Sequence, residues 1–337
     1  MVPTINKSSS GAKLWLTIFA IGYIALVIVC NALSAMVPAT YGDLTRIGLV
    51  SERLFGWKQE QPSIADRFRA ASKIADADVL VIGDSFSERL AWQATLAETG
   101  LKVATTMWTD NALCADLDRW LAEHEFKGKV VIAETVERYA PGRLRQAQKC
   151  SAKDLIKVPP LEPLRQPGAA YTLGVGAGVR TNILTLQNTK RAERAPFGMV
   201  LPSPVANPIF HVAVMNVADG CSRFSHTLCS KALFLTEDVE TPQLTPADAE
   251  DMAKLTSQVK SAKLIWALVP NKTTVYLQPE RAEEFRRAFN RMQLGPDLFQ
   301  RASMGREAVR DLYWGNDTHW STAGQLYFGE TVRDWIR

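Results

Sequence analysis

The sequence predicts an α/β protein with a parallel sheet covered by helices on both faces, preceded by one transmembrane helix. Three observations carry that expectation. Short runs of β-branched residues alternate with helix-compatible stretches, the pattern of a parallel sheet whose crossovers return over its faces. A single charge-free run lies near the start of the chain. Finally, 47% of the 337 residues are hydrophobic and 22% charged, which supports a sizeable core and excludes a disordered chain.

The charge-free run is Leu14 to Met36, LWLTIFAIGYIALVIVCNALSAM. At about 1.5 Å per residue it is long enough to cross a hydrocarbon layer of about 30 Å. Lys7 and Lys13 precede it, and the first charges after it are Asp43 and Arg46. The positive-inside rule therefore places residues 1–13 in the cytoplasm and the rest of the chain, from 37 on, outside the bacterial inner membrane. Ala32 and Ser34 offer a weak signal-peptidase pattern, but the run is longer than most signal h-regions, so an anchor is preferred over a cleaved signal. Cys30 reads as a small apolar residue within the span.

Residues 37–74 read as a stalk with an opening helix, SIADRFRAASKIADAD, that leads into an exported domain at 75–337. Within that domain the expected strands are Asp78 to Gly83, Lys102 to Thr106, Lys129 to Glu134 and Lys263 to Val269. The expected helices are Phe86 to Glu98, Ala112 to His124, Arg143 to Gln148, Glu280 to Met292 and Thr322 to Ile336. Between 150 and 242 the alternation stops in Pro- and Gly-rich sequence, read as a long insertion that forms a wall or lid over the site. The GxGxG from Gly174 to Gly178 follows no strand and reads as loop, not as a dinucleotide fingerprint.

Four cysteines, Cys114, Cys150, Cys221 and Cys229, fall in the exported part, an even number suited to an oxidising compartment. Three connectivities are open. The short Cys221–Cys229 loop is preferred, leaving Cys114 with Cys150, and buried free thiols remain an alternative. Their spacings resemble no zinc site, and no metal or organic cofactor is called for. Lys and Arg number 39 against 35 Asp and Glu, a net charge of +4 without a basic block, so nucleic acid is not an expected partner.

The chemistry concentrates at two places. Gly83-Asp84-Ser85-Phe86-Ser87 sits where a parallel strand ends, the edge at which open α/β sheets bind ligands. A serine there can attack a carbonyl, with its own backbone N–H facing the oxyanion. The competing assignment is an ordinary helix cap. At the other end of the chain, Asn316-Asp317-Thr318-His319-Trp320-Ser321 precedes the last helix. Asp317 can hold the imidazole Nδ1–H of His319 while Nε2 takes the proton of Ser85, the logic of a Ser-His-Asp triad.

In these two segments the chain resembles the SGNH/GDSL hydrolase superfamily, in which a serine after the first strand works with an Asp and a His near the carboxyl end. The segments GDSFS, DTHWS, VPNKTTVYLQP (269–279) and ETVERY (134–139) are similar to segments of the AlgJ/AlgX-like proteins that O-acetylate alginate and related exopolysaccharides. The resemblance implies a three-layer α/β/α sandwich and catalytic Ser85, His319 and Asp317. It also implies a polysaccharide acceptor and a multi-span acyltransferase partner of the MBOAT type, because one span cannot itself carry acetyl groups across a membrane.

Two departures accompany the resemblance. In the alginate proteins the Asp-x-His segment precedes the serine segment, whereas here it follows. The superfamily's oxyanion Gly and Asn after strands two and three are missing, so Asn111 and Arg138 become the substitute candidates, with Asp84 as a further substrate-side candidate. For Arg138 a structural ion pair with Glu134 stands as an equal alternative. Trp320, beside His319, is the candidate for stacking on a sugar ring, and for Trp108 and Trp314 core burial is preferred.

The function expected is thus a membrane-anchored periplasmic O-acetyltransferase of an exopolysaccharide or other envelope glycan, working through an acetyl-serine. A carbohydrate acetylesterase with the same triad is the first alternative. A non-catalytic polysaccharide-binding or scaffold subunit of an acetylation complex is the second.

Overall fold

Seven strands are present among the described residues of the computed structural model, which are 9–36, 42–108, 116–149, 179–196, 198–201 and 210–337. They are β1 (Val79–Gly83), β2 (Val103–Met107), β3 (Val130–Val136), β4 (Met199–Leu201), β5 (Val212–Asn216), β6 (Lys231–Leu235) and β7 (Lys263–Val269). Strands β1, β2, β3 and β7 form one parallel sheet in the order β2-β1-β3-β7. All four lie within two residues of the expected positions.

Alternate residues of these strands serve opposite faces, which is why the strands are largely apolar, with Thr105, Thr106, Glu134 and Thr135 as buried polar exceptions toward their carboxyl ends. Leu80, Ile82, Val131 and Trp266 pack with Trp120, Leu144, Met252 and Phe285 from helices on one side. Val79, Val81, Ile132 and Ala267 pack with Leu96, Leu298, Phe328 and Val332 on the other. The protein is therefore a mixed α/β structure with helices against both faces of its parallel sheet.

Strands β2 and β3 flank β1 on opposite sides. The connection leaving β1 crosses one face, where Leu96 is buried, and the next crosses the other, where Trp120 and Leu121 are buried. The carboxyl end of β1 is thus a point where the winding reverses, the kind of place at which open α/β sheets bind ligands. Ser85 follows β1 by two residues.

The described part of the insertion carries regular structure that its composition does not predict. Strands β4, β5 and β6 form a separate antiparallel sheet, and Val179–Arg194 is a helix. The expected Cys221–Cys229 disulfide is present between β5 and β6. Cys114, Cys150 and Gly174 to Gly178 lie outside the described residues.

The stalk expectation needs correction. Two short helices, Asp43–Gly48 and Glu52–Phe55, bury Leu44, Val50, Leu54 and Phe55 against Leu201, Val212, Val214 and Leu233 of the small sheet. The residues between 42 and 57 therefore belong to the folded unit. Further on, the expected amphipathic helix is replaced by two 3-10 turns, Asp66–Phe68 and Ile74–Asp76. Between them Ser72 donates its N–H to Val103 O at 3.0 Å, so the chain runs along the outer edge of β2 instead of coiling.

The helix expected from Phe86 to Glu98 shrinks to Ala94–Ala97. Leu90 adopts a left-handed backbone with φ of 51°, which a helix interior does not accept. The helices Leu117–Glu123, Ala140–Lys149, Glu283–Arg291 and Thr322–Ile336 lie where helical pattern was read. At the start of the chain, Ser9–Met36 is one continuous helix, and Gly11–Leu33 within it is long and apolar enough to cross a membrane.

Candidate active site

The turn after β1 is held by buried polar contacts. Asp84 accepts N–H bonds from Phe86 at 3.0 Å and from Val136 at 2.9 Å, and pairs with Arg143 at 2.7 Å. Burial of Asp84 alone would raise its pKa. Arg143 and the two backbone donors outweigh that and hold the carboxylate below its ordinary value. Oδ1 of Asp84 is thus committed to the serine turn through Phe86, and Oδ2 to Val136 at the end of β3 and to Arg143, so Asp84 supports the turn instead of facing a substrate.

Beneath the turn, Ser87 donates to Glu134 Oε2 at 2.6 Å, and the N–H of Asp84 reaches the same oxygen at 2.9 Å. Burial, reinforced by the nearby Asp84 charge, pushes Glu134 well above the usual carboxylate range. The packing is close enough to require glycine at 83: a Cβ there would stand 2.3 Å from Ser87 Oγ and 2.9 Å from Glu134 Oε2.

These contacts leave Ser85 at the top of the turn, partly exposed. Among the described residues its backbone N–H makes no hydrogen bond. Its Oγ lies 2.7 Å from His319 Nε2. His319 Nδ1 lies 2.6 Å from Asp317 Oδ1, which also accepts the backbone N–H of His319 at 2.9 Å. One carboxylate oxygen thus reaches both the backbone and the ring of the residue two positions later, which gives the two-residue Asp-x-His spacing its geometry.

The loop carrying Asp317 and His319 is anchored on every side. Tyr313 and Trp320 form a bridge across it, and Trp314 donates its N–H to His319 O at 3.2 Å. Leu233 of β6 donates its N–H to Gly315 O at 3.1 Å. Gly315 is tight against His226, whose Cδ2 would lie 2.2 Å from any Cβ. Ser321 then caps the last helix through Gly324 N–H at 3.0 Å. The described part of the insertion therefore buttresses the histidine loop from below.

A second carboxylate faces the imidazole. Asp43 Oδ2 is 3.5 Å from His319 Nδ1, and the N–H of Asp43 donates to Asp317 Oδ2 at 3.0 Å. Burial works against the imidazolium, but the charge and hydrogen bond of Asp317, joined by Asp43, outweigh it and push His319 up to about 10. Burial likewise opposes the charge of Asp317, and His319 with two backbone N–H groups reverses the effect, holding the carboxyl well below its usual range.

Asp43, Asp317 and His319 together could present one ligand atom each to a metal ion. Their oxygens and Nδ1 are already engaged with one another and with Thr318, so the group fits a hydrogen-bond relay better than a cation site.

The remaining sequence candidates separate clearly. Trp320 is buried, stacked on Phe328 at 4.0 Å and edge-on to Phe86 at 5.2 Å, so it is a core residue and not a sugar platform. Arg138 is buried and gives Nη1 to Asp238 at 3.2 Å and to Asn271, so it forms an ion pair, though not with Glu134. Trp108 and Trp314 are also buried, the latter 3.9 Å from the ring of Trp57. Asn111 lies outside the described residues.

Asp43 and the buried Lys272 escaped the sequence reading. Nothing local marks Asp43: a Gly-Asp opening a short helix reads as favourable charge at a helix start. Compared with known proteins, the chain matches no family model, no curated sequence and no solved structure.

Proposed function

We propose that this chain is a membrane-anchored O-acetyltransferase of the SGNH/GDSL type, with the domain in the periplasm, that acetylates an exopolysaccharide or other envelope glycan. The observation that carries the reading is the continuous relay of Ser85, His319 and Asp317, at 2.7 and 2.6 Å, on the strand-end edge of a parallel sheet. Serine alone is a weak nucleophile at neutral pH, and a relay of this kind is the common means of activating it.

In the first half-reaction Ser85 Oγ attacks the acetyl carbonyl carbon while its proton passes to His319 Nε2. The oxyanion forms beside the backbone N–H of Ser85. Collapse breaks the bond to the donor's leaving group, which takes the proton from Nε2, and acetyl-Ser85 remains. In the second half a glycan hydroxyl gives its proton to Nε2 and attacks the ester carbonyl. Collapse then returns the proton to Ser85 and leaves the acetyl group on the glycan. Asp317 holds the imidazole orientation and balances its charge in both halves.

The apolar helix supports anchoring, and the disulfide suits an oxidising compartment. The basic flank before the span supports a cytoplasmic amino terminus. The acetyl donor is then a multi-span acyltransferase of the MBOAT type in the same membrane.

Phosphonate labelling of the full chain in detergent, and incubation of a separate unlabelled wild-type sample with an acetyl ester donor and an oligosaccharide, test this. Labelling lost in Ser85→Ala and in His319→Ala, with acetylated sugar formed, is the expected result. Free acetate without acetylated sugar rejects transfer and favours an esterase. Polymer acetylation unchanged by Ser85→Ala in cells favours a non-catalytic subunit.

A further inference from the structure

Asp43 stands ten residues after Leu33, where the candidate span ends, yet it lies beside the histidine near the opposite end of the chain. Its carboxylate accepts the N–H of Thr318 at 2.8 Å and the Thr318 hydroxyl, and its own N–H donates to Asp317. Both sides of Asp43 therefore grip the three-residue segment that carries the relay.

Its surroundings are built for this placement. Leu44 and Thr45 donate their N–H groups to Asn316 O at 3.2 and 3.3 Å, and Asn316 Nδ2 donates to Glu52 at 2.6 Å. Glu52 in turn accepts the N–H of Gly42 at 3.0 Å. A Cβ on Gly42 would lie 2.3 Å from Asn316 O, so the backbone passes the loop as closely as it can.

Among the described residues the only ion-pair partner of Asp43 is His319. Two carboxylates placed against one imidazole repel each other unless the ring carries a proton. The other groups around His319 are Ser85, the Thr318 hydroxyl 3.4 Å from Nδ1, the Phe86 ring at 4.7 Å, and Lys272, whose ammonium reaches Asp317 O at 3.1 Å from beneath the loop.

We propose that Asp43 is a positioning residue of the relay: its N–H holds Asp317, its carboxylate shares the imidazolium charge, and the site is complete only when the segment following the span is docked. This rests on the triad reading. Asp43 touches neither acetyl group nor nucleophile, and acts through His319 and Asp317. The direction in which His319 is pushed agrees with the geometry, because Asp43 adds to Asp317 in favouring the charged ring.

The test is the pH dependence of Ser85 labelling by a phosphonate, measured on the full chain in detergent. Wild-type labelling is expected to rise with pH as His319 loses its proton. Asp43→Asn keeps an acceptor for Thr318 and removes the charge, so the midpoint should move to lower pH by about one unit. Asp43→Glu, which restores the charge, should return the midpoint toward its alkaline position, an outcome that a merely structural contact would not give. If Asp43→Asn does not fold, Asp43→Ser keeps a short uncharged acceptor and is read in the same way. Coincident midpoints for the wild type and a folded uncharged variant overturn the assignment of Asp43 alone. A wild type that is not labelled at any pH overturns the triad reading, and the role of Asp43 with it.

Discussion

Lys272 places its Nζ 2.6 Å from the carbonyl oxygen of Trp314 in the interior of the protein. The same ammonium lies within hydrogen-bond reach of Leu233 O at 2.8 Å, and of Gly315 O and Asp317 O at 3.1 Å. It thereby ties the small antiparallel sheet to the loop that presents Asp317 and His319. Burial pulls its pKa down to about 7, although Asp43 and Asp317 favour the charged form.

Lys272→Met should therefore loosen the loop as well as the core. Leaving several buried carbonyls without a donor costs about 3 kcal/mol or more in total. Urea unfolding of the variant is expected to show that loss, together with slower Ser85 labelling at temperatures where the protein is still folded. Unchanged unfolding would show that the carbonyls find other donors.

Glu137 predicts a pH-dependent stability. Its Oε2 accepts Asn271 N–H at 2.8 Å and the Thr274 hydroxyl at 2.7 Å, but burial dominates and raises the carboxyl to about 7. The folded state therefore holds this proton up to about pH 7, whereas the unfolded chain releases it near 4.5. Stability from this group is fully present below that lower value and is lost as pH rises through the folded value. Glu137→Gln removes the penalty, so its melting temperature should exceed wild type at pH 8, by an amount equivalent to about 3 kcal/mol at most. At pH 4.5 the two should melt together, and an equal difference at both pH values would contradict the assignment.

Trp320 separates core from substrate contact. Trp320→Ala should lower stability by about 3–5 kcal/mol, because it opens a void between Phe86, Tyr313 and Phe328. Trp320→Phe should retain most of that stability and, on the proposed glycan function, leave oligosaccharide binding unchanged. A selective rise in KM for the glycan with unchanged melting temperature would return Trp320 to the substrate surface.

The Cys221–Cys229 bridge closes a short loop next to β6, which supports the histidine loop. For a sequence separation of 8, the chain-entropy account gives about 2–3 kcal/mol of stabilisation. Replacing both cysteines by serine should lower the denaturant midpoint accordingly, and an unchanged midpoint would contradict this role for the bridge.

What the sequence determined by itself is whatever depends on neighbouring residues. The apolar span, the four parallel strands and the last helix follow from runs and periodicities of hydrophobic residues, which local geometry converts directly into secondary structure. The Gly-Asp-Ser turn and the Asp-x-His pair were legible for the same reason, since each is a short segment whose chemistry lies in its own side chains. Their pairing across 234 positions was expected from the triad logic, and the fold brings them within hydrogen-bond distance.

Tertiary contacts decided the rest. The helix after Ser85 is shortened because Ser87 turns inward to Glu134, with Trp92 and Gln93 hydrogen-bonded to it, and Leu90 takes a left-handed backbone. Trp320 went to the core because Phe86 and Phe328 enclose it, although its sequence position beside His319 suggested substrate. The residues after the span became part of the domain because Leu44, Val50 and Phe55 meet the small sheet built from the insertion. Asp43 reached His319 through that docking and the hydrogen bonds that tie its helix to Asn316, Asp317 and Thr318. A side chain's partners across some 275 positions depend on how whole elements pack, and neither propensity nor local spacing carries that information.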